Sequence, residues 1–260
     1  MTQVLYSKPT QARRGSQVSA REVGLARRVQ ARLLPGRAFA EGTLEAAGFS
    51  QAALGIGGDF FDFIPYAPGR LAIAIGDACG KGLPAALIAT ALHAALRSHY
   101  ALASGDLVSR VRSLNRLLHD STAPEHYVTL FIGEFDAASS TLCYANCGHA
   151  TPIVSRFTGS VERVAPTGTP LGLFGGWLGG TAKLALSPGD VLLLVTDGIS
   201  ELVDASNIPV GEARLLASLQ ARRSWPVDRL ARALVEDALA LSTRKGRDDA
   251  TVVVARRRAQ

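Results

Sequence analysis

Two spacings of apolar residues alternate along the chain. Short runs rich in β-branched and aromatic residues occur at Phe60–Ile64, Leu71–Ile75, Tyr127–Phe135, Thr141–Ala145, Thr181–Leu186, Val191–Val195 and Thr251–Ala255. Most are bounded by Gly, Pro or Asp, a pattern that predicts strands. Between them, Leu83–Tyr100 with Asp106–Asp120, and Glu212–Gln220 with Val227–Leu241, carry apolar residues at helical spacing and predict two helical pairs. Strands, two helices, strands, two helices, strand departs from the strict alternation of a parallel doubly wound sheet. It predicts antiparallel sheets with helices packed outside them.

Upstream, a short polar start leads into a helix expected over Gln17–Leu34, which Pro35-Gly36 ends. Val18, Leu25, Val29 and Leu33 form a thin apolar stripe with arginines mostly between them. Such a stripe suits a helix packed on its own domain and a linker or dimer seam equally well. The expected organisation is a flexible 1–15, an amphipathic linker or switch helix over 16–36, and one domain over 37–260.

The 28 Lys+Arg against 22 Asp+Glu leave a net charge of +6, which raises the question of an anionic partner. Aromatics are only 6% and the longest basic run is Arg256-Arg257-Arg258, so the clustering with stacking residues that marks nucleic-acid binding is missing. Cys79, Cys143 and Cys147 are too few, and odd in number, for a disulfide framework, which suggests a reducing compartment. The longest apolar stretch, Pro84 to Leu96, is broken by His93 and falls short of the roughly 20 residues a bilayer requires. With no apolar run of signal-peptide length near the start, the expectation is a cytoplasmic protein without a membrane partner.

The informative residues are aspartates at strand ends. Asp59 follows Gly57-Gly58, Asp77 ends Ile73-Ala74-Ile75-Gly76, Asp197 ends an apolar run and precedes Gly198, and Asp248-Asp249 precedes Thr251-Val252-Val253-Val254. An apolar strand running into an aspartate puts the acid at a sheet rim, where glycine lets backbone approach a ligand. Several carboxylates at one rim would repel unless cations bound between them, and hard ions such as Mg2+ or Mn2+ prefer oxygen donors. Any single Asp-Gly is more simply a turn cap; four coincidences point to a carboxylate metal site.

Gly57-Gly58-Asp59-Phe60-Phe61-Asp62, Gly76-Asp77-Ala78-Cys79-Gly80-Lys81-Gly82 with Pro84-Ala85-Ala86, Gly148-His149, Thr196-Asp197-Gly198-Ile199-Ser200-Glu201 and Asp248-Asp249-Ala250-Thr251 follow one another in that order. This set resembles the motifs of the SpoIIE/RsbU-type phosphatases, the bacterial branch of the metal-dependent PPM (type 2C) serine/threonine phosphatases. The resemblance covers about Thr43 to Arg256, and Ala26-Arg27-Arg28-Val29-Gln30 through Leu33-Leu34-Pro35 is similar to the helix that enters this domain in the family. It implies an α+β fold, a four-layer α/β/β/α sandwich of two antiparallel sheets flanked by helices.

The same resemblance implies a centre of two Mn2+ or Mg2+ ions held by Asp59, Asp77, Asp197 and Asp248, with the Ala78 carbonyl contributing. Asp249 and Asp62 match, on weaker grounds, groups behind these ligands or ligands of a third ion. The implied reaction is hydrolysis of a protein phosphoserine or phosphothreonine by in-line attack of a metal-bridging water, with no covalent phosphoenzyme. The implied substrate is a phosphorylated anti-anti-sigma (STAS) protein in a partner-switching pathway, and the N-terminal helix would serve assembly into a homodimer or activation. Eukaryotic relatives carry a His where this chain has Cys79, so no general acid is assigned there, and His149 receives no proton-transfer role.

Other readings account for less. Gly57-Gly58-Asp59-Phe60 lacks the second acid of a GGDEF signature, and Gly76 to Gly82 lacks Walker A spacing. Cys143, Cys147 and His149 supply three zinc-type ligands where a structural site needs four, so buried, unreactive cysteines are expected. A catalytically silent phosphatase-fold module is the alternative from another class; its mark would be a lost ligand aspartate, and all four are present.

Overall fold

The computed structural model describes residues 19–33, 38–102, 105–203, 209–240 and 248–258. Along the chain these form α1 (Ala20–Leu33), β1 (Ala38–Glu41), β2 (Leu44–Gln51), β3 (Asp59–Ala67), β4 (Arg70–Ala78), α2 (Leu83–Ala101), α3 (Leu107–Ser121), β5 (Val128–Asp136) and β6 (Thr141–Cys147). There follow β7 (Ile153–Ser155), β8 (Val161–Arg163), β9 (Ala182–Ala185), β10 (Val191–Val195), α4 (Asp197–Ser200), α5 (Gly211–Ala221), α6 (Val227–Ala240) and β11 (Ala250–Arg257). One sheet has the order β1-β2-β11-β10-β7-β8 and the other β3-β4-β5-β6-β9, with every neighbouring pair antiparallel.

Period-two alternation divides each strand between two cores. Phe61 and Phe63 of β3, Ile73 and Ile75 of β4, and Phe131 of β5 meet Leu192, Leu194 and Val253 of the other sheet. The intervening Phe60, Ile64, Ala74, Leu130 and Ile132 pack under Leu92 and Leu96 of α2 and Leu114 of α3. On the opposite side, Leu193, Val252 and Val254 pack under Leu215 of α5 and Leu230 and Leu234 of α6. The result is the α+β sandwich of four layers expected from the element order, its apolar faces removed from water on both sides of each sheet.

The strand β2, absent from the hydrophobic pattern, is rich in Ala and Gly and weak in intrinsic strand preference. It is held because β1 and β11 pair with it on both sides. A side chain at Gly48 would collide with the Phe61 ring facing it from the other sheet. Here tertiary packing, not propensity, decides.

Helix α1 starts at a capping box in which Ser19 and Glu22 exchange hydrogen bonds (Ser19 N to Glu22 Oε2, 2.8 Å; Glu22 N to Ser19 Oγ, 3.2 Å). Leu25, Val29 and Leu33 remain 47%, 60% and 48% exposed, so the described domain leaves the stripe uncovered. Gln17, Val18, Leu34 and the polar start over 1–15 lie outside the described residues. No helix among the described residues is long and apolar enough to cross a membrane.

Candidate metal centre

The proposed ligands come from the ends of both sheets. Asp59 opens β3 and Asp77 lies near the end of β4, and the strand register makes them direct partners. By alternation both point between the sheets, as Phe61 and Ile75 do. Asp197 follows β10 at the start of α4, and Asp248 and Asp249 precede β11, the neighbour of β10. Antiparallel pairing of β10 with β11 thus sets the end of one beside the beginning of the other.

Asp59 is buried and is tied across the sandwich. Its Oδ2 accepts hydrogen bonds from Thr196 Oγ1 at 2.8 Å and Thr251 Oγ1 at 2.5 Å, both hydroxyls belonging to the other sheet. Thr251 N donates in turn to Thr196 Oγ1 at 3.0 Å. Neither threonine was singled out from the sequence as a functional residue. The available signal was position, since Thr196 precedes Asp197 and Thr251 closes Asp248-Asp249-Ala250-Thr251.

Asp249 has a different task. Its Oδ1 accepts from Ala53 N at 2.8 Å and its Oδ2 from Gly58 N at 2.7 Å, so the carboxylate organises the 53–58 turn that delivers Asp59. A side chain at Gly57 would overlap this carboxylate, which gives Gly57 a steric reason to be glycine. On its outer side the turn meets α1: Gln30 Nε2 donates to Gly57 O at 2.7 Å, and Gly57 N donates to Gln30 Oε1 at 3.3 Å. A cavity of about 260 Å³ opens there, lined among others by Arg27, Gln30, Phe61, Asp59 and Asp249.

The aspartates lie in one another's field. Burial and then the Asp77 charge push the Asp59 carboxyl well above the usual range, with the threonine hydroxyls pulling the other way. Burial, followed by Asp197, Asp248 and Asp249, raises Asp77 to about 7. Asp197 is raised by burial, Asp248 and Glu201, against the Gly198 N–H and the Lys81 charge. The Lys81 ammonium sits 2.8 Å from Asp248 Oδ2.

This donor set fits hard divalent cations. It is all oxygen, it resists carrying its own negative charge, and it already draws in one cation from the chain. Among the described residues, however, no three such side chains yet converge on a point that holds an ion. Asp248 and Asp249 each retain a carboxylate lone pair beyond those their present partners use. Ala78 turns its side chain into the core beneath α2 and its carbonyl towards Gly58.

Asp62 lies apart from this group. Three residues beyond Asp59, it falls on the opposite face of β3, fully buried, where it accepts from Arg97 Nε at 2.6 Å and Arg97 Nη2 at 2.8 Å and lies 2.8 Å from His93 Nε2. His149 is buried, with Nδ1 2.9 Å from Thr129 Oγ1, and burial pushes its imidazole down to about 4, so it is neutral. Cys79 Sγ is engaged by the 125–127 backbone, accepting from Tyr127 N at 3.1 Å. Cys143 and Cys147 are free thiols packed towards the α2–α3 core.

The family described as Stage II sporulation protein E (SpoIIE) matches residues 67–258, a span that contains Asp77, Asp197, Asp248 and Asp249 and begins just after Asp59. The chain is 28% identical over 200 residues to protein IcfG of Synechocystis sp., covering 67% of this chain and 32% of that protein. It is 25% identical over 239 residues to the phosphoserine phosphatase RsbU of Bacillus subtilis, covering 91% and 70%. The crystal structure of the RsbU and RsbW domains of Rv1364c from Mycobacterium tuberculosis superposes with a TM-score of 0.72 at 28% identity, covering 83% of this chain and 60% of that one. The chain therefore spans about a third of IcfG and less than two thirds of the Rv1364c chain. With its sandwich of two antiparallel sheets and its ordered aspartate motifs, the chain belongs to the SpoIIE family, the SpoIIE/RsbU branch of the PPM phosphatases.

Proposed function

We propose that this chain is a divalent-metal-dependent protein phosphoserine/phosphothreonine phosphatase. The observation that carries the reading is geometric. Asp59 and Asp77 are register partners at the rim of one sheet, and Thr196 and Thr251, which flank Asp197 and Asp248-Asp249 at the rim of the other, bond Asp59 at 2.8 and 2.5 Å, so aspartates from four strand ends are brought to one edge of the sandwich. Asp59, Asp77, Asp197 and Asp248, with the Ala78 carbonyl and Asp249, would hold two Mn2+ or Mg2+ ions, a third being the most the set could serve. Bound there, such ions supply an acidified water and positive charge for phosphoryl oxygens.

The chain's own part is positioning. Thr196 and Thr251 hold the Asp59 carboxylate towards the cluster, and Asp249 shapes the turn before Asp59. The sheets exclude water from one side of the group, which strengthens its electrostatics. His149, neutral and bonded to Thr129, braces the inner wall rather than moving a proton.

The substrate that suits this reading is a phosphorylated STAS protein in a partner-switching pathway that regulates a sigma factor, acting in the cytoplasm. The naming of RsbU as a phosphoserine phosphatase and the RsbU and RsbW domains joined in Rv1364c support it. Residues 37–260 would form the catalytic domain and residues 16–36 a linker or switch helix whose exposed Leu25, Val29 and Leu33 suit a homodimer seam. The test is Mn2+-dependent hydrolysis of a phosphoserine peptide by the wild type, Asp77→Asn and Asp197→Asn. Loss of at least about a hundredfold in kcat in both variants is expected; turnover that survives both substitutions would sink the ligand assignment.

A further inference from the structure

Lys81 is the residue of the second motif that the metal-centre reading leaves without a task. It lies in the exposed turn between β4 and α2, four residues after Asp77, between Gly80 (φ 90°) and Gly82 (φ 71°). Both glycines hold left-handed backbone, so the turn projects Lys81 from the rim instead of continuing β4. Its stem brings Nζ back to 2.8 Å from Asp248 Oδ2, and the same charge acts on Asp197. Lys81 is therefore a cation tethered at the mouth of the acid group.

The strength of that tether decides what it is for. The two side chains are 47% and 44% exposed, and an ion pair so open to water is weak, because solvent screens it. Such a pair neutralises Asp248 without locking it. A divalent ion that takes Asp248 must displace the ammonium, which the four-carbon stem then leaves at the rim.

Charge balance indicates where the displaced ammonium goes. The five aspartates carry five negative charges and two divalent ions return four, so without Lys81 the group would still be negative when a phosphate dianion approached. Lys81 offsets one of these charges, against the further negative charge that Glu201 places near Asp197. An ammonium on a flexible stem, beside a backbone turn that opens a helix, is a form in which proteins hold phosphoryl oxygens as a point charge.

Resting on the phosphatase reading, we propose that Lys81 is an exchangeable counter-ion: it pairs with Asp248 while divalent ions are absent, and contacts the substrate's phosphoryl group once they are bound. It is thus a substrate-positioning residue that also sets the divalent-ion concentration at which the centre loads. No bond to Lys81 forms or breaks, and the exchange is of ionic partners only.

Calorimetric titration of Mn2+ into the metal-free full chain tests the first half, using wild type, Lys81→Met and Lys81→Arg. Removing the competing ammonium should tighten Mn2+ binding roughly two- to fivefold in Lys81→Met, while Lys81→Arg stays near wild type. Titration of inorganic phosphate into the Mn2+-loaded proteins tests the second half. Phosphate should bind Lys81→Met roughly tenfold more weakly and Lys81→Arg nearly as well as wild type, with a matching rise in KM for a phosphoserine peptide. Unchanged or weaker Mn2+ binding in Lys81→Met overturns the counter-ion role, and unchanged phosphate binding overturns the positioning role. Should Lys81→Met melt well below wild type, Lys81→Gln replaces it in both titrations. The two titrations do not depend on turnover, so a wild-type chain that hydrolyses nothing refutes the phosphatase reading separately.

Discussion

Asp59 and Asp77 face each other as register partners across β3 and β4, two carboxylates on neighbouring strands and on the same face of the sheet. Like charges directly opposite on paired strands destabilise a sheet, and burial deepens the cost. The chain meets part of it by bonding Asp59 to Thr196 and Thr251. What is left is a standing demand for positive charge at this rim.

That demand makes metal-free stability depend on pH. The Asp77 carboxyl is raised to about 7 in the folded chain, against about 3.9 for an unperturbed aspartate. A raised folded-state pKa means that the folded form binds the proton more tightly, so this contribution to stability is full below about pH 4 and is lost as pH rises through about 7. With chelator present, the wild-type Tm should fall between pH 5 and 8 more steeply than that of Asp77→Asn. At pH 8 the variant should melt higher by on the order of 5 °C. Parallel melting curves across this range would contradict the electrostatic account.

Gly57→Ala places a methyl group where the Asp249 carboxylate rests. The turn must move, and Asp59 moves with it. The expected outcome is a stability loss of about 1–3 kcal/mol in urea unfolding, with weaker Mn2+ binding. Gly180→Ala, which meets no atom within 4 Å, is the control expected to change neither.

Asp62 holds α2 to the sheet, not the metal site. Burial would raise its carboxyl, but hydrogen bonds and charge from His93 and Arg97 outweigh this and hold it below the usual range. The stability it contributes is therefore present above about pH 4 and lost as pH falls through the depressed folded-state value. Asp62→Ala should cost about 3 kcal/mol, since it leaves a buried His93 and an arginine without their partner. Mn2+ affinity measured under native conditions should stay close to wild type; a large loss would place Asp62 with the ligands after all.

Gln30 joins α1 to the metal-site turn through both hydrogen bonds to Gly57. Gln30→Ala should weaken Mn2+ binding or turnover severalfold with a change of less than about 1 kcal/mol in domain stability, because only two part-exposed bonds are lost. Deleting residues 1–34 should reproduce the activity change and, if the exposed stripe pairs with a second copy, lower the mass in solution. A truncated chain of unchanged mass and unchanged turnover would remove α1 from both roles.

Much of the fold was legible because its signals are local. The strands β3, β4, β5, β6, β9, β10 and β11 and the five helices α1, α2, α3, α5 and α6 declare themselves by apolar period and by Gly, Pro and Asp at their ends. The strand β2 did not, because Ala46, Ala47 and Gly48 have no strand preference of their own. Short β7 and β8 were missed for want of length. The four leading aspartates stood out at the ends of apolar strands, whereas Asp62, inside the Phe60–Ile64 run, joined them only through the resemblance.

Sequence alone determined which residues end up at a strand terminus, since apolar alternation, turn glycines and the order of the motifs are written along the chain. Only the tertiary structure decided what each terminus faces. Alternation along β3 sends Asp59 between the sheets and Asp62 to α2, and the pairing of β10 with β11 sets Thr196 and Thr251 against Asp59 from 137 and 192 residues away. Contacts at that separation depend on register and on packing across two sheets, and no local pattern of residues encodes either.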